Sequence, residues 1–182
     1  PYPDLKVDVQ RIGEEPQHDP DRQSYSRLKK HGEVLPVVSL YPTKKWNKKV
    51  VIWLDSDGKD GMFSAKGKPV KDVQEMLDAG TSVVGADLFQ QGEFLKGPLK
   101  QTRKVGNNRE FAAYTFGYNH TVFAGRVHDI LTLLAFVKGH EEDKAGAVAL
   151  VGTGGAGPLV ATARVLVQDL VDKAVVGTGG FR

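Results

Sequence analysis

A run of glycines is the clearest sign of chemistry in this sequence. Residues 152–157 read GTGGAG, follow the apolar stretch 147–151 and lead into an apolar pattern that begins at Pro158. This order is typical of a strand, a tight turn and a helix. Two kinds of site use that geometry. One holds a phosphate on the helix N-terminus, and the other holds a nucleophilic serine at the apex of a strained turn.

The dinucleotide interpretation rests on the spacing of Gly152, Gly154 and Gly157, which matches G-x-G-x-x-G. Such a fold also needs an acidic residue about 20 positions later to bind the ribose hydroxyls. Residues 173–178 read KAVVGT and contain no carboxylate. The turn also follows other predicted strands, whereas a dinucleotide turn normally opens its unit. Dinucleotide or phosphate binding is therefore the alternative hypothesis, and no cofactor is predicted.

Three carboxylates in one loop, Asp55, Asp57 and Asp60, resemble a calcium site in content. They lack the spaced glutamate of an EF-hand, and they alternate with glycines as ordinary turns do. We therefore predict no metal site.

Two histidines lie near the longest predicted helix. His128 is predicted on that helix beside Arg126 and Asp129, where pairing with a neighbouring carboxylate or carbonyl is expected rather than a role as a base. His120 precedes the helix, and we expect it to cap the helix or to pack in the loop.

Composition favours one globular domain with no special partner. The chain has 182 residues, of which 40% are apolar and 26% are charged. Its net charge of +3 is a small surplus, and the Lys-rich patch at residues 44–49 is expected to be a solvated turn, so no nucleic-acid partner is predicted. The sequence has no cysteine, no apolar run of about 18 residues and no signal-peptide pattern. No membrane contact is predicted, and we expect a soluble chain.

Strands alternate with helices along the sequence. This order predicts an α/β fold in which a mostly parallel sheet lies between two layers of helices. Residues 35–41 end at Pro42 and are predicted to form an edge strand. The other strands are predicted at 49–54, 81–86, 147–151 and 173–176, and the helices at 69–79, 121–138 and 158–170.

The chain divides by composition into two parts. Residues 1–33 are polar and are predicted to form an arm with little core of its own, whereas residues 34–182 are predicted to form the α/β domain. Residues 88–119 are too long for a simple connection and are expected to be a functional loop. Because the sequence ends soon after a predicted strand, we expect this domain to be incomplete and its partner to be the remainder of a longer polypeptide.

Two further motifs support the serine interpretation of the glycine turn. Residues 87–93 (DLFQQGE) resemble a D-x-R-G-x-G-x loop, and residues 126–131 (RVHDIL) resemble R-x-x-D-x-[LI]. With the turn, they make residues 34–177 similar to α/β-hydrolases of the bacterial acetyl xylan esterase-like branch. The resemblance implies acyl transfer through serine, an acetylated carbohydrate ester as substrate and a secreted or periplasmic location. It also implies an oxyanion hole formed by Gly155 and by the loop that carries Asp55 and Ser56.

The sequence lacks the nucleophilic serine that the resemblance requires. When G-x-S-x-G is aligned on Gly152, the serine position falls on Gly154, and Thr153 is one residue too early to replace it. In this family the acid and the histidine follow the nucleophile, but only Asp169 and Asp172 follow the turn, and no histidine does. We expect Asp172 to cap or solvate the end of its helix. Either the acid and the histidine lie beyond residue 182, or the protein is a non-catalytic relative, and both can be true. The sequence therefore predicts a carbohydrate-esterase-like domain without a competent serine nucleophile in this chain.

Overall fold

A single mixed sheet organises the fold. The computed structural model describes residues 8–14, 22–30, 33–42, 45–95, 120–139 and 144–179, with side chains from residue 34 onward. Within these ranges, seven strands form one sheet in the order β1-β2-β3-β5-β4-β6-β7. The strands are β1 Asp8–Glu14, β2 Arg22–Lys30, β3 Glu33–Tyr41, β4 Lys49–Leu54, β5 Ser82–Ala86, β6 Ala147–Gly152 and β7 Lys173–Val176. The helices are α1 Lys71–Asp78, α2 Val122–Lys138 and α3 Gly157–Val167.

The sheet has a parallel part that places the site. Strands β5, β4, β6 and β7 are parallel neighbours. Strand β4 lies between β5 and β6, with Val51 opposite Val83 of β5 and Ala149 of β6. The loops after β4, β5 and β6 therefore leave from one edge of the sheet. Strands β1, β2 and β3 extend the sheet in antiparallel order, and β3 pairs with β5.

Helices cover both faces of the sheet, which confirms the predicted α/β class. On one face, Ile52 and Leu150 pack with side chains of α2 and α3 that include Ile130, Leu134 and Val160. On the other face, the core includes residues of β3, β4, β5 and α1: Leu40, Trp53, Val73, Leu77 and Val83. The continuous apolar runs of β4, β5 and β6 follow from this double burial.

The predicted edge position of residues 35–41 is wrong, although the strand is confirmed. Strand β3 lies between β2 and β5, because the polar segment 22–30 pairs with it along its whole length. Strands β1 and β2 belong to residues 1–33, for which the sequence predicts only an arm. The division of the chain at residue 34 stays a prediction.

Helix boundaries differ slightly from the predicted ones. Helix α1 begins at Lys71, and α3 begins at Gly157 and ends at Val167, where Gln168 takes a positive φ of 40° and a short 3-10 turn follows. Of the long loop predicted at 88–119, residues 96–119 lie outside the described residues. In the described part of the chain, no helix has both the length and the apolar character that a membrane crossing requires.

Gly157 tests how closely α3 packs against the end of β7. A Cβ at this position would overlap the carbonyl oxygen of Gly177, although the φ of −52° suits any residue. We expect Gly157→Ala to lower the free energy of unfolding by about 1–3 kcal/mol, despite the better helix propensity of alanine. The control is Gly146→Ala, because its Cβ would make only ordinary contacts at 3.5 Å. Equal stability of both variants in denaturant unfolding would contradict this packing.

Candidate functional site

The glycine turn has the predicted strand, turn and helix geometry. Strand β6 ends at Gly152, Thr153 is extended, and residues 154–156 form one 3-10 turn before α3. Gly154 has a φ of +53°, a conformation that strains any residue with a Cβ. A Cβ on Gly152 would lie 2.8 Å from Cγ2 of Val160, so glycine there lets α3 approach the strand. The apex of the turn is therefore residue 154, where any side chain would strain the backbone.

The loop after β4 is bonded directly to this turn. The backbone N–H of Thr153 donates to the carbonyl of Leu54 at 2.9 Å, and its hydroxyl donates to Oδ2 of Asp55 at 2.5 Å. The N–H of Gly155 donates to Oγ of Ser56 at 2.6 Å. The structure thus brings Asp55 and Ser56 to the glycine turn, and their roles in an oxyanion hole stay a prediction.

The Ser56 hydroxyl fills the space beside the apex. A Cβ on Gly154 would lie 2.6 Å from Oγ of Ser56 and 3.5 Å from its Cβ. The same hydroxyl accepts the N–H of Gly155, which the family resemblance assigns to the oxyanion hole. The sequence did not predict the contact of this hydroxyl with the turn, because the distance between two separate loops cannot be read from a sequence.

The loop after β5 supports the loop that carries Ser56. The buried Gln91 side chain donates from Nε2 to the carbonyl of Ser56 at 3.1 Å and to that of Asp55 at 3.3 Å. Its Oε1 accepts the N–H of Leu88 at 3.2 Å. One glutamine therefore connects the loops after two neighbouring strands.

A buried ion pair lies beneath these two loops. The fully buried carboxylate of Asp87 accepts the backbone N–H groups of Lys59 and Glu93, each at 2.9 Å, and the Nζ of Lys59. That Nζ also donates to Oε1 of Glu93 at 2.8 Å. Gly58 and Gly92, both with positive φ, pack against the carboxylate where a Cβ would not fit. Sequence reasoning missed Lys59, since a lysine in a polar loop is normally solvated.

The charge state of Lys59 follows from competing effects. Burial, the largest of them, lowers its pKa, but the hydrogen bonds and negative charges of Asp87 and Glu93 together raise it above the usual 10.5. Lys59 is therefore charged at neutral pH. The charge of Lys59 makes its full contribution to stability at neutral pH, and this contribution is lost as the pH rises through the raised pKa of Lys59.

The two motifs of the family resemblance contact one another. Arg126 on α2 donates from Nε to the carbonyl of Phe89 at 2.9 Å and from Nη2 to that of Gln90 at 3.1 Å. Asp129 accepts the N–H of Phe89 at 2.6 Å. Burial lowers the pKa of Arg126, and the charge of Asp129 opposes this shift. Gln90 stands at a glycine position of the motif and has a φ of +58°, so the loop keeps the backbone shape without the glycine.

The remaining candidates lie elsewhere. Asp172 accepts the N–H of Val148 at 2.7 Å, near the start of β6 and thus at the opposite edge of the sheet from the turn. Asp172 is exposed, which agrees with the expected solvation, but this hydrogen bond goes to β6 rather than to the end of a helix. Asp169 is exposed in the 3-10 turn after α3. His128 is exposed on α2, and the cap of that helix is Thr121, which accepts the N–H of Ala124, rather than His120.

The loop of three aspartates makes ordinary turn contacts. Oδ1 of Asp55 accepts the N–H of Asp57 at 3.0 Å, whereas Asp57 and Asp60 are exposed. Across the described ranges, no group of three or more histidine, aspartate or glutamate side chains is arranged to hold a metal ion.

The dinucleotide alternative finds no acidic residue at the expected place. After β7, the N–H of Gly177 donates to the carbonyl of Gly152 at 2.8 Å, and the Gly177 carbonyl packs against Gly157. Backbone atoms therefore occupy one side of the turn, beside the N-terminus of α3.

Solved structures share this fold at low sequence identity. Acetyl xylan esterase 1 from Thermoanaerobacterium sp. matches 94% of this chain with a TM-score of 0.64 and 17% identity. A glucuronoyl esterase from Solibacter usitatus matches 92% with a TM-score of 0.58 and 12% identity. A dienelactone hydrolase from Anabaena variabilis matches 86% with a TM-score of 0.56 and 11% identity. These similarities show that the chain has an α/β-hydrolase-like fold, and its neighbours include carbohydrate esterases.

The matches cover only part of the neighbours. The chain spans 52%, 50% and 62% of the three proteins, in the same order. No protein-family model matches the chain, and no curated protein does.

We expect the ion pair of Lys59 and Asp87 to stabilise the two loops that it connects. Asp87→Asn removes the fully buried partner of Lys59 and leaves only the partly exposed Glu93 to compensate its charge, and we expect it to lower the free energy of unfolding by about 3–5 kcal/mol. The matched control is Glu75→Gln, which breaks an exposed pair with Lys71 at 3.7 Å. We expect the control to change stability by about 0–1 kcal/mol. Denaturant unfolding measures both values, and a loss in Asp87→Asn no larger than in the control would contradict the proposed weight of the pair.

Steric coupling between Ser56 and residue 154 can be measured by a double-mutant cycle. Gly154→Ala strains the left-handed backbone by about 1–2 kcal/mol in any background. With Ser56 present it must also displace the hydroxyl, whereas in Ser56→Ala only an ordinary 3.5 Å contact is left. We expect a coupling of about 1 kcal/mol in unfolding free energy.

The control for this cycle is Gly67→Ala. Gly67 has a φ of +73°, and no atom lies within 4 Å of the point that its Cβ would occupy, so this variant measures the backbone strain alone. If the effects of Gly154→Ala and Ser56→Ala are simply additive, the hydroxyl does not occupy the space beside the apex.

Proposed function

We propose that this chain is an α/β-hydrolase domain of the carbohydrate-esterase type whose glycine turn no longer carries a nucleophile. The observation that supports it most is the conformation of Gly154, which has a φ of +53° at the apex of the turn but no side chain. Acyl transfer in this fold needs a hydroxyl at that position. The turn therefore has the backbone geometry of a hydrolase site but lacks the nucleophilic hydroxyl.

The side chains of Thr153 and Asp172 do not supply the missing serine chemistry in this proposal. The hydroxyl of Thr153 donates to Asp55 and lies 3.2 Å from the carbonyl of Leu54, so it is engaged away from the apex. Asp172 is bound at the opposite edge of the sheet and does not orient a base at the turn. The domain is therefore proposed to bind an ester without turning it over.

The proposed ligand is an acetylated carbohydrate. This choice is supported by the fold neighbours, two of which are named as an acetyl xylan esterase and a glucuronoyl esterase. It is also supported by the contacts that connect the three motifs. Helix α2 binds the loop after β5, this loop binds the loop after β4, and the loop after β4 binds the glycine turn. The dinucleotide hypothesis lacks comparable support.

Further polypeptide is proposed as the protein partner of this domain. Large apolar side chains are exposed on α3, on the 3-10 turn after it and along β7, and such surfaces are usually covered by another part of a protein. They are Val165, Leu166, Leu170, Val175 and Val176.

Ester hydrolysis and ligand binding test the proposal together. We expect the chain to show no multiple turnover of 4-nitrophenyl acetate or acetylated xylan above the rate of the Gly154→Ala variant. We also expect acetylated xylan to raise the melting temperature more than the same xylan after chemical deacetylation. NAD serves as the ligand control, because the dinucleotide hypothesis predicts stabilisation by NAD instead. Sustained turnover above the rate of the Gly154→Ala variant would overturn the proposal, and loss of that turnover in Thr153→Val would assign it to the Thr153 hydroxyl.

A further inference from the structure

We infer that Ser56 is an acyl-acceptor hydroxyl that this fold presents at the glycine turn in place of a serine at position 154. The inference rests on the proposed function, because it assigns the acetyl group of the same ligand class to a particular atom. It goes beyond that function by predicting a covalent product, an acetyl-serine formed once per chain with an activated ester.

Position is the first argument. Oγ of Ser56 lies 2.6 Å from the place where the Cβ of a residue at position 154 would stand. A hydroxyl is therefore present beside the space that a side chain at position 154 would occupy. Ser56, Gly154 and Gly155 are all exposed, so an ester can approach this hydroxyl from solvent.

Polarisation is the second argument. The N–H of Gly155 donates to Oγ of Ser56 at 2.6 Å, a short bond that favours negative charge on the oxygen. The 11-residue helix α3 begins two residues later, and its N-terminus adds a partial positive charge on the same side. Such donors stabilise the oxygen once its proton has left, and this favours the alkoxide that attacks an ester; they do not remove the proton themselves.

Rigidity is the third argument. Gln91 holds the carbonyl of Ser56 at 3.1 Å, and the Asp55 side chain beside it is fixed by the hydroxyl of Thr153. The buried pair of Lys59 and Asp87 anchors both loops from below. The hydroxyl therefore keeps one position relative to the turn, as a reacting group needs.

The reaction needs only the ester and a water molecule that accepts the proton. Oγ of Ser56 attacks the carbonyl carbon of 4-nitrophenyl acetate and forms a new ester bond, while the bond from that carbon to the phenolic oxygen breaks. The leaving group departs as 4-nitrophenolate, and the serine proton passes to water. Since the proposed function includes no base that activates water at this site, the acetyl group stays on Ser56, and the release of 4-nitrophenolate stops near one equivalent.

The test is to map acetylation on the full chain after treatment with 4-nitrophenyl acetate. We expect the acetyl occupancy of Ser56 to exceed that of Ser64 by about tenfold or more, because a hydrogen bond to a charged oxygen changes a rate by at least that factor. Ser64 is an internal control: it is exposed, and its hydroxyl donates to the carbonyl of Lys68. The matched variants are Ser56→Ala, which should lose the adduct and the fast release, and Ser56→Thr, which should recover part of both.

The outcomes separate this inference from the proposed function. Equal occupancy at Ser56 and Ser64, or unchanged fast release in a Ser56→Ala variant that melts like the parent chain, overturns the inference and leaves the proposed function intact. Repeated turnover overturns the proposed function, whichever residue is acetylated. A stable adduct on Ser56 with no turnover supports both.

Discussion

The buried carboxylate of Asp87 is the constraint on which the site depends. It binds Lys59 from the loop after β4 and the backbone of Glu93 from its own loop, and positive-φ glycines make room for it on both sides. A buried charge of this kind is tolerated only when donors surround it. The two loops must therefore close on the carboxylate together, and this closure lets Gln91 reach the carbonyl of Ser56. The position of the Ser56 hydroxyl thus follows from a charge buried beneath its loop.

The parallel order of the strands explains why such a small set of bonds forms a site. Strands β5, β4 and β6 are neighbours, so the residues that follow them leave from the same edge of the sheet. Side chains far apart in sequence then meet, as Ser56 meets Gly155 across 99 positions. Helix α2 adds the clamp of Arg126 and Asp129 on the loop after β5. The site is therefore a junction of three loops, in which each loop is held by side chains of another.

Sequence reasoning succeeded where one local signal decides the structure. The runs of β4, β5 and β6 are apolar because both faces are covered, and the glycines of the turn are needed by its backbone and by the packing of α3, so both features could be predicted. Strands β1 and β2 could not, because their polar residues carry no apolar alternation. The family resemblance placed the loop of Ser56 at the turn, but the hydrogen bond of the Ser56 side chain and the burial of Lys59 escaped prediction, because they depend on distances between loops. A polar residue in a loop has the same local pattern whether it is solvated or buried.

The absence of a nucleophile at the apex also has a consequence for stability. A serine there would hold a left-handed backbone at a cost of about 1–2 kcal/mol, whereas glycine adopts this conformation freely. If the N–H of Gly155 faced an empty site, it would have no protein partner, whereas here it donates to Ser56. Active sites commonly keep such strain and such open donors because the reaction needs them. At this turn both are relieved by two neighbouring choices, Gly154 and Ser56. Gly154 and Ser56 thus let the turn persist as a stable part of the fold.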